Sequence, residues 1–344
     1  MQIYQQSGYI DIRKILSLGM PFIFMFGGRG TGKTYTSLEI CIEDALKFIY
    51  MRRTQTQVDI VVNPEYSPFK ILNKDFNWNI GSKIISKNNS AWYKQVYEDD
   101  KIIPVGSPVG YTCALSTISN IRGFDASDVP ILLYDEFIPE KHERPIKNEA
   151  HAFLNAVETI NRNRELKGEP PLIVMCMANS NDVANPIFME LHLVRKAMEM
   201  KRKKQEVFIN KERGMVLINM EFSPISEQKK TTALYRLTGG NSNFARMSLN
   251  NEFAGDEVGR IASRPLTEYK PVVSIGEITI YSHKSNRSIY VSTHKTGSPP
   301  YFRTGDTERA RFRRIYSWLW DEYMENNIEF EEYLCEILLT KFFN

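Results

Sequence analysis

Residues 21–34, PFIFMFGGRGTGKT, constrain the fold more than any other part of the chain. An apolar, aromatic-rich segment of strand length, Phe22–Phe26, runs directly into eight residues that match G-x-x-x-x-G-K-[ST] at every fixed position. Residues 35–48 then carry apolar side chains at spacings of three and four, which predicts a helix. A strand, a glycine-rich loop and a helix in this order are the context of a loop that binds nucleotide phosphates.

The residue types of this loop suit that chemistry. Glycines let the backbone curl so that its N–H groups and the helix N-terminus point at the phosphates. Lys33 adds a positive charge, and the Thr34 hydroxyl can ligate Mg²⁺. The predicted cofactors are ATP and Mg²⁺, since no N-K-x-D motif for reading guanine occurs. The predicted ATP-binding residues are Gly27, Gly28, Arg29, Gly30, Thr31, Gly32, Lys33 and Thr34.

Two further strands end in polar residues. The apolar run Val129–Tyr134 leads into Asp135 and Glu136. Asp135 is predicted to hold Mg²⁺, and Glu136 to act as the general base that polarises a water molecule. Such a base suits ATP hydrolysis coupled to motion. The run Leu172–Ala178 leads into Asn179, which we expect near the γ-phosphate, where it would report hydrolysis.

Several arginines are candidates for an arginine finger, the side chain that stabilises charge on the transferring phosphoryl group. Arg162 and Arg164 lie near a predicted helix end, from which either could act on a neighbouring subunit. Arg29 lies inside the phosphate loop and could act on its own site. For each of them a structural ion pair is the alternative.

Composition places the chain among ordinary globular proteins. With 344 residues, of which 42% are hydrophobic and 25% charged, it has the length of two domains. A net charge of +3 does not by itself indicate a polyanionic partner. The four cysteines have neither disulfide-framework nor zinc spacing. No signal peptide or bilayer-spanning stretch is visible, so we expect a cytoplasmic protein without a membrane partner.

The order of apolar runs predicts a doubly wound α/β domain. Four runs, mostly without alternation, are expected to form strands buried on both faces of a parallel sheet. Residues 60–112 are expected to form an insertion of short strands. We predict an ATPase domain over 1–222, a linker or lid over 223–260, and a small α/β domain over 261–344, with a hairpin of Pro271–Tyr281 and Arg287–Thr293. The four core runs are Phe22–Phe26, Phe48–Arg52, Val129–Tyr134 and Leu172–Ala178.

Six segments together resemble the DNA-packaging (encapsidation) ATPases of phi29-like tailed phages, whose general ATPase plan the large terminases share. They span residues 27–255, about two thirds of the chain. The segments are Gly27–Tyr35 (GGRGTGKTY), Phe48–Arg53 (FIYMRR), Leu133–Ile138 (LYDEFI), Asn161–Glu165 (NRNRE), Met177–Phe188 (MANSNDVANPIF) and Arg246–Gly255 (RMSLNNEFAG).

The resemblance implies an additional-strand P-loop ATPase that forms a homomeric ring, a pentamer, at the portal of an empty prohead and drives double-stranded DNA inward. It implies a location in the host cytoplasm, transiently at the portal vertex. Arg162 matches the trans-acting finger of the family, and Arg122 falls where the family has a basic DNA-gripping side chain. A structural RNA on the prohead is a further partner in relatives.

Relatives also carry a C-terminal domain of the RNase H-like fold. Active nucleases of that fold hold two metals with carboxylates on adjacent strands. Here the corresponding runs lack a central aspartate and Glu277 is isolated, which resembles the vestigial nuclease of the phi29-like branch. We therefore expect no nuclease activity, and phosphate contacts from basic residues. These are Lys284, Arg287 and Lys295, together with Arg303 and Arg309.

Three other classes of function remain to be weighed: a helicase or other nucleic-acid-remodelling ATPase, a small-molecule kinase, and a nucleotide-binding scaffold that does not hydrolyse. The pair Asp135 and Glu136 argues against the scaffold. A kinase would need a basic lid and a substrate pocket, which the sequence does not indicate. A helicase is disfavoured by the single ATPase core with a nuclease-like appendage.

Overall fold

The computed structural model of the chain describes residues 2–86, 88–98, 101–121, 126–139, 143, 146–179, 183–221, 223–229, 231–238 and 260–343. The chain divides into two compact units, Met1–Ala254 and Gly255–Asn344. Much of the predicted linker or lid over 223–260 lies outside the described residues, as does the segment Arg246–Gly255. In the part of the chain that is described, no helix is long and apolar enough to cross a bilayer.

The first unit is built on one nine-stranded sheet with the order β3-β4-β5-β2-β6-β7-β1-β9-β8. In this spatial order, neighbouring strands from β5 to β9 run parallel. The outer strands β3, β4 and β8 pair antiparallel with their neighbours. The large parallel sheet of the predicted α/β fold is thereby confirmed. Its strands are β1 (Phe22–Phe26), β2 (Phe48–Arg52), β3 (Ile80–Ser86), β4 (Asn89–Glu98), β5 (Lys101–Ala114), β6 (Ile131–Asp135), β7 (Ile173–Met177), β8 (Val207–Asn210) and β9 (Met215–Asn219).

Helices cover both faces of this sheet, which is why the central strands are buried without alternation. On one face Phe153 of α5 stacks on Tyr134, with ring centroids 5.7 Å apart. On the other, Phe69 of α4 lies between Phe48 and Trp92. The α-helices of this unit are α1 (Ile12–Leu16), α2 (Lys33–Glu43), α3 (Gln55–Val62), α4 (Phe69–Phe76), α5 (Glu149–Asn161), α6 (Pro186–Glu190), α7 (Val194–Arg202), α8 (Pro224–Lys229) and α9 (Ala233–Thr238).

The prediction of strands within residues 60–112, between the second and third core runs, is confirmed, but these strands are neither short nor separate from the main sheet. The region contains part of α3, all of α4 and the long strands β3, β4 and β5, and it extends the main sheet because β5 pairs in parallel with β2. A capping box formed by Thr54 and Gln57 starts α3. The pairing of β5 with β2 is a long-range contact, so the local pattern contained no signal for it.

The second unit has a five-stranded sheet with the order β13-β10-β11-β12-β14. The predicted hairpin is confirmed for β11 and β12, which pair antiparallel. Pro271–Tyr281 is not a single arm of it, however, because Gly276, with φ 52°, lets the chain reverse between β10 and β11. Three helices pack on the sheet around Phe312, Leu319 and Leu339. The elements are β10 (Tyr269–Ile275), β11 (Ile278–His283), β12 (Ile289–Ser292), β13 (Tyr301–Phe302), α10 (Asp306–Ile315), α11 (Trp318–Met324), β14 (Ile328–Phe330) and α12 (Tyr333–Phe343).

Candidate nucleotide site

The glycine-rich loop curls between the end of β1 and the start of α2. Gly27, Gly28, Gly30 and Gly32 all have φ between 63° and 84°, a conformation that residues with a Cβ atom rarely adopt. A Cβ atom at Gly28 would lie 2.6 Å from the carbonyl oxygen of Met220, so this position admits only glycine. The curl leaves the backbone N–H groups that begin α2 at the mouth of the loop.

Lys33 lies within this curl and is 5% exposed. Its Nζ donates hydrogen bonds to the carbonyl oxygens of Gly27 at 2.8 Å and Gly28 at 2.6 Å, and to Oγ1 of Thr31 at 3.3 Å. The loop therefore holds the ammonium group at the centre of its own concavity. A phosphate group bound in the loop would meet that charge directly.

Two oxygen ligands suited to Mg²⁺ meet beside the loop. Oγ1 of Thr34, in the first turn of α2, donates to Oδ1 of Asp135 at 3.2 Å. Within the described residues there is no cluster of three or more His, Cys, Asp or Glu side chains. A hydroxyl and a single carboxylate fit Mg²⁺, which usually keeps waters and substrate phosphates as its other ligands.

Tyr50 and Arg52 complete the surroundings of Asp135, and the sequence did not predict these contacts. Nη1 of Arg52 donates to Oδ2 of Asp135 at 2.9 Å, and the Tyr50 hydroxyl donates to the same oxygen. The two residues lie on one face of β2, because side chains two apart in a strand point the same way. That spacing was visible in the sequence, but the adjacency of β2 to β6 was not.

Glu136 follows β6 in a left-handed backbone conformation, with φ 56°. Such strain in a residue other than glycine occurs at functional sites and must be held by its surroundings. Asn179 supplies that hold: its Nδ2 donates to Oε1 of Glu136, and its backbone N–H lies 3.4 Å from Oε2. Burial raises the pKa of the Glu136 carboxyl, and the neighbouring charge of Asp135 raises this pKa further.

The arginines of the NRNRE segment lie near the amino ends of β6 and β7. We call this side of the sheet the amino edge. Arg164 is buried and donates from Nη2 to the carbonyl oxygen of Ser127 at 2.6 Å, just before β6. Oδ1 of Asn161 accepts from the backbone N–H of Leu172 at 3.0 Å, just before β7. Arg162 lies between these two anchors, so it is at the amino ends of the strands.

The carboxyl ends of the same strands form the carboxyl edge of the sheet. This edge carries the phosphate loop, Asp135, Glu136 and Asn179. Because β6 and β7 have five residues each, the two edges are roughly 16 Å apart at about 3.3 Å per residue. Arg29 lies in the phosphate loop itself and is exposed. The structure thus separates the two candidate fingers onto opposite edges of the sheet.

The predicted DNA-contacting residues do not form one cluster. Arg122 lies outside the described residues. Lys284 and Arg287 belong to the turn between β11 and β12, whereas Lys295 follows β12 at the opposite end of the sheet. Nζ of Lys284 donates to the carbonyl oxygen of Thr267 at 2.6 Å, and the Lys295 ammonium lies 4.5 Å from the ring centroid of Tyr301.

The fold and the site together define a P-loop nucleotide-binding protein. In it β7 lies between the loop strand β1 and the strand β6 that carries Asp135, which is the arrangement of additional-strand ATPases. Residues 4–301 match the family model of the podovirus DNA encapsidation protein (Gp16). The chain belongs to this family, and its function is the packaging of viral DNA.

Individual relatives agree with this membership. The DNA packaging proteins of Bacillus phages phi29 and PZA are each 28% identical to the chain over 256 residues, which is 73% of this chain and 68% of theirs. The solved phi29 viral genome packaging motor assembly shares the fold, with 21% identity and a TM-score of 0.64 over 97% of this chain and 99% of that one. The phi28 gp11 DNA packaging motor has 18% identity and a TM-score of 0.63, covering 97% and 96%.

Proposed function

We propose that the protein is the ATP-hydrolysing subunit of a ring motor that drives double-stranded DNA through the portal into a prohead. The observation that carries this proposal is the position of Arg162 near the amino ends of β6 and β7. The phosphate loop lies at the carboxyl ends, and each of these five-residue strands is roughly 16 Å long. A finger on that edge cannot serve its own site, but it can complete the site of a neighbouring subunit. Hydrolysis would then require an assembly of several copies.

The nucleotide would bind with its phosphates in the curl of the loop, where Lys33 would exchange its carbonyl partners for phosphate oxygens. Thr34 and Asp135 would hold Mg²⁺, since their oxygens already lie 3.2 Å apart. Bound Mg²⁺ supplies neutralising charge for the β- and γ-phosphates. Arg52 would lose part of its interaction with Asp135 at that moment, and its charge would remain within the site.

Glu136 would act as the general base. Its carboxylate must be ionised to accept a proton from water, and its raised pKa makes it a stronger base than an exposed glutamate. The Asn179 amide donates to this carboxylate and so favours its ionised form. Asn179 would therefore orient the base, and its predicted contact with the γ-phosphate would be a second role.

The arginine finger would be Arg162 of the neighbouring subunit, with Arg29 as the competing candidate in the same chain. Arg164 is better explained as an anchor, because two backbone carbonyls accept its hydrogen bonds. In a ring, a pentamer by resemblance to the family, each subunit would donate Arg162 to the next one. The portal would be the docking partner, at the vertex of a prohead in the host cytoplasm, and a structural RNA would be a further partner.

The second unit would be a vestigial RNase H-like domain without nuclease activity. Strands β10, β11 and β12 contain no aspartate or glutamate, and Glu277 is exposed in a turn. Without a carboxylate pair on adjacent strands, two metals could not be held there. Lys284, Arg287 and Lys295 would contact DNA phosphates, from two ends of the sheet rather than from one patch.

The decisive experiment is protection of DNA from added nuclease by purified proheads, the protein and ATP. We expect full-length DNA to be protected only when ATP is hydrolysed, and Lys33→Ala to abolish protection. Glu212→Gln, an exposed residue in the turn between β8 and β9, is the matched control and should leave protection unchanged. Strand separation of duplex DNA without protection would instead identify a helicase.

A further inference from the structure

Arg53, the residue after β2, has an unusual environment for an arginine. It is 0% exposed, and its guanidinium forms a two-pronged pair with Glu149, from Nε to Oε1 at 2.6 Å and from Nη2 to Oε2 at 3.0 Å. Its Nη1 donates to Glu143. Burying two charges costs free energy that only nearly ideal geometry offsets. The two parallel hydrogen bonds supply such geometry, because they fix the direction of the contact as well as its distance.

This pair joins the nucleotide edge of the sheet to one end of α5. Arg52, the neighbour of Arg53, holds Asp135, and Glu149 is the first residue of α5. The stacking of Phe153 on Tyr134 gives α5 a second contact with the sheet, beside Asp135. The amino end of α5 is thus tied to the same strand ends that surround the metal carboxylate.

The other end of α5 carries Arg162. The helix has 13 residues, about 20 Å at 1.5 Å per residue, and Arg162 is its C-cap in a left-handed conformation with φ 44°. A continuous helix moves as a rigid element, so a displacement at Glu149 is carried to Arg162. Neither Arg53 nor Glu149 is near Arg162 itself.

We propose that Arg53 is a positioning residue for hydrolysis in the neighbouring subunit. Its pair with Glu149 fixes the amino end of α5 and so determines where the helix presents Arg162 to the next site. This role rests on the proposed trans action of Arg162. This role differs from a role in the chain's own site. Loss of the Arg53–Glu149 pair would misplace the Arg162 that a subunit donates to its neighbour, but the subunit's own nucleotide site would stay intact.

The test uses complementation between variants in packaging complexes of prohead, DNA and protein. Removing one partner alone would leave a buried unpaired charge and could prevent folding, so the variant replaces both, as Arg53→Met with Glu149→Leu. Its thermal unfolding is measured first against wild type. The matched control is Arg264→Met with Glu329→Leu, which removes an Arg–Glu pair of the same two-pronged geometry in the second unit.

We expect the double variant alone to lose ATPase activity at least about tenfold, because a finger contributes 10³–10⁵ in kcat. Mixing it with Lys33→Ala subunits, which cannot hydrolyse but carry an intact Arg162, should restore activity severalfold. Mixing it with Arg162→Ala subunits should restore nothing, because neither partner supplies a finger. The control pair should keep wild-type ATPase activity.

Three results would overturn the inference. Wild-type activity of a folded double variant would show that the pair does not position the finger. Failure of Lys33→Ala to rescue the double variant, while it does rescue Arg162→Ala, would assign Arg53 to its own site and leave the trans finger intact. Failure of Lys33→Ala to rescue Arg162→Ala would remove the trans finger and this inference with it.

If the double variant does not fold, Arg53→Lys, which retains a charge but not the two-pronged pair, takes its place alone and in its two mixtures.

Discussion

The two edges of the main sheet differ in the kind of interaction that they contain. At the carboxyl edge, charged side chains face one another around Asp135, and strained backbone is held in place at Glu136 and through the glycine loop. At the amino edge, Asn161 and Arg164 bond mainly to backbone groups. The contacts at the carboxyl edge therefore join ionisable side chains, whereas those at the amino edge anchor the end of α5 to the backbone. Under the proposed role of Arg162, one copy of the protein would carry the parts of a hydrolysis site on two separate surfaces.

The largest expected effect comes from replacing each of the two candidate fingers, Arg162 at the amino edge and Arg29 at the carboxyl edge, by alanine. We expect Arg162→Ala to lower kcat for ATP by roughly 10³-fold or more, since fingers contribute 10³–10⁵, with ATP affinity nearly unchanged. Arg29→Ala should have a much smaller effect on kcat. Steady-state ATPase kinetics on proheads, with ATP binding measured by fluorescence titration, distinguish the two. The opposite ranking would place the finger at the carboxyl edge.

Glu136→Gln tests the chemistry of the carboxyl edge. The amide is isosteric but cannot accept a proton from water, so we expect kcat to fall by roughly 10²–10⁴, the usual contribution of a general base. ATP should still bind, because the loop and Lys33 are untouched. Single-turnover hydrolysis measures the loss, with Glu212→Gln as the control. Retained turnover would exclude Glu136 as the base.

Arg164→Met tests the amino edge through stability. The variant loses charge-assisted hydrogen bonds to two backbone carbonyls, each of about 1.5–3 kcal/mol. We expect the free energy of unfolding in urea to drop by about 3 kcal/mol or more, the sum over the two bonds, with ATP affinity unchanged at temperatures where the protein stays folded. Arg202→Met, on an exposed position of α7, should change it by less than about 0.5 kcal/mol. Equal stability of the Arg164→Met variant and wild type would mean that Arg164 is no anchor.

Asn179→Ala should lower kcat less than Arg162→Ala or Glu136→Gln does, and it tests whether the Asn179 amide orients Glu136. Without its donor the ionised form of Glu136 loses a stabilising hydrogen bond, so the pKa of that carboxyl should rise further. The base works only when ionised, so activity is lost as pH falls through this pKa, and the acid limb of the kcat–pH profile should move to higher pH. At neutral pH we expect kcat to fall about tenfold, consistent with one hydrogen bond of 1–1.5 kcal/mol. An unmoved acid limb would contradict an orienting role.

The site could be predicted from the sequence wherever its parts are contiguous. The loop from Gly27 to Thr34 and the pair Asp135 and Glu136 are local patterns, and each lies at a strand end as predicted. Asn179 was predicted because it follows an apolar run. Its contact with Glu136 exists only because β7 lies beside β6. The contacts of Tyr50 and Arg52 with Asp135 were not predicted, because they exist only through the pairing of β2 with β6.

The unit of strand, glycine loop and helix, and the position of the acidic pair at a strand end, could be predicted from the residues alone. These features follow from short-range steric and hydrogen-bonding rules, which act within a few residues of one another. Only the folded chain shows that β3, β4 and β5 extend the main sheet, that Arg53 pairs with Glu149, and that Arg162 lies near the strand ends opposite the phosphate loop. Strand order and register are long-range choices, set by which apolar faces can be buried together, and no local pattern encodes them.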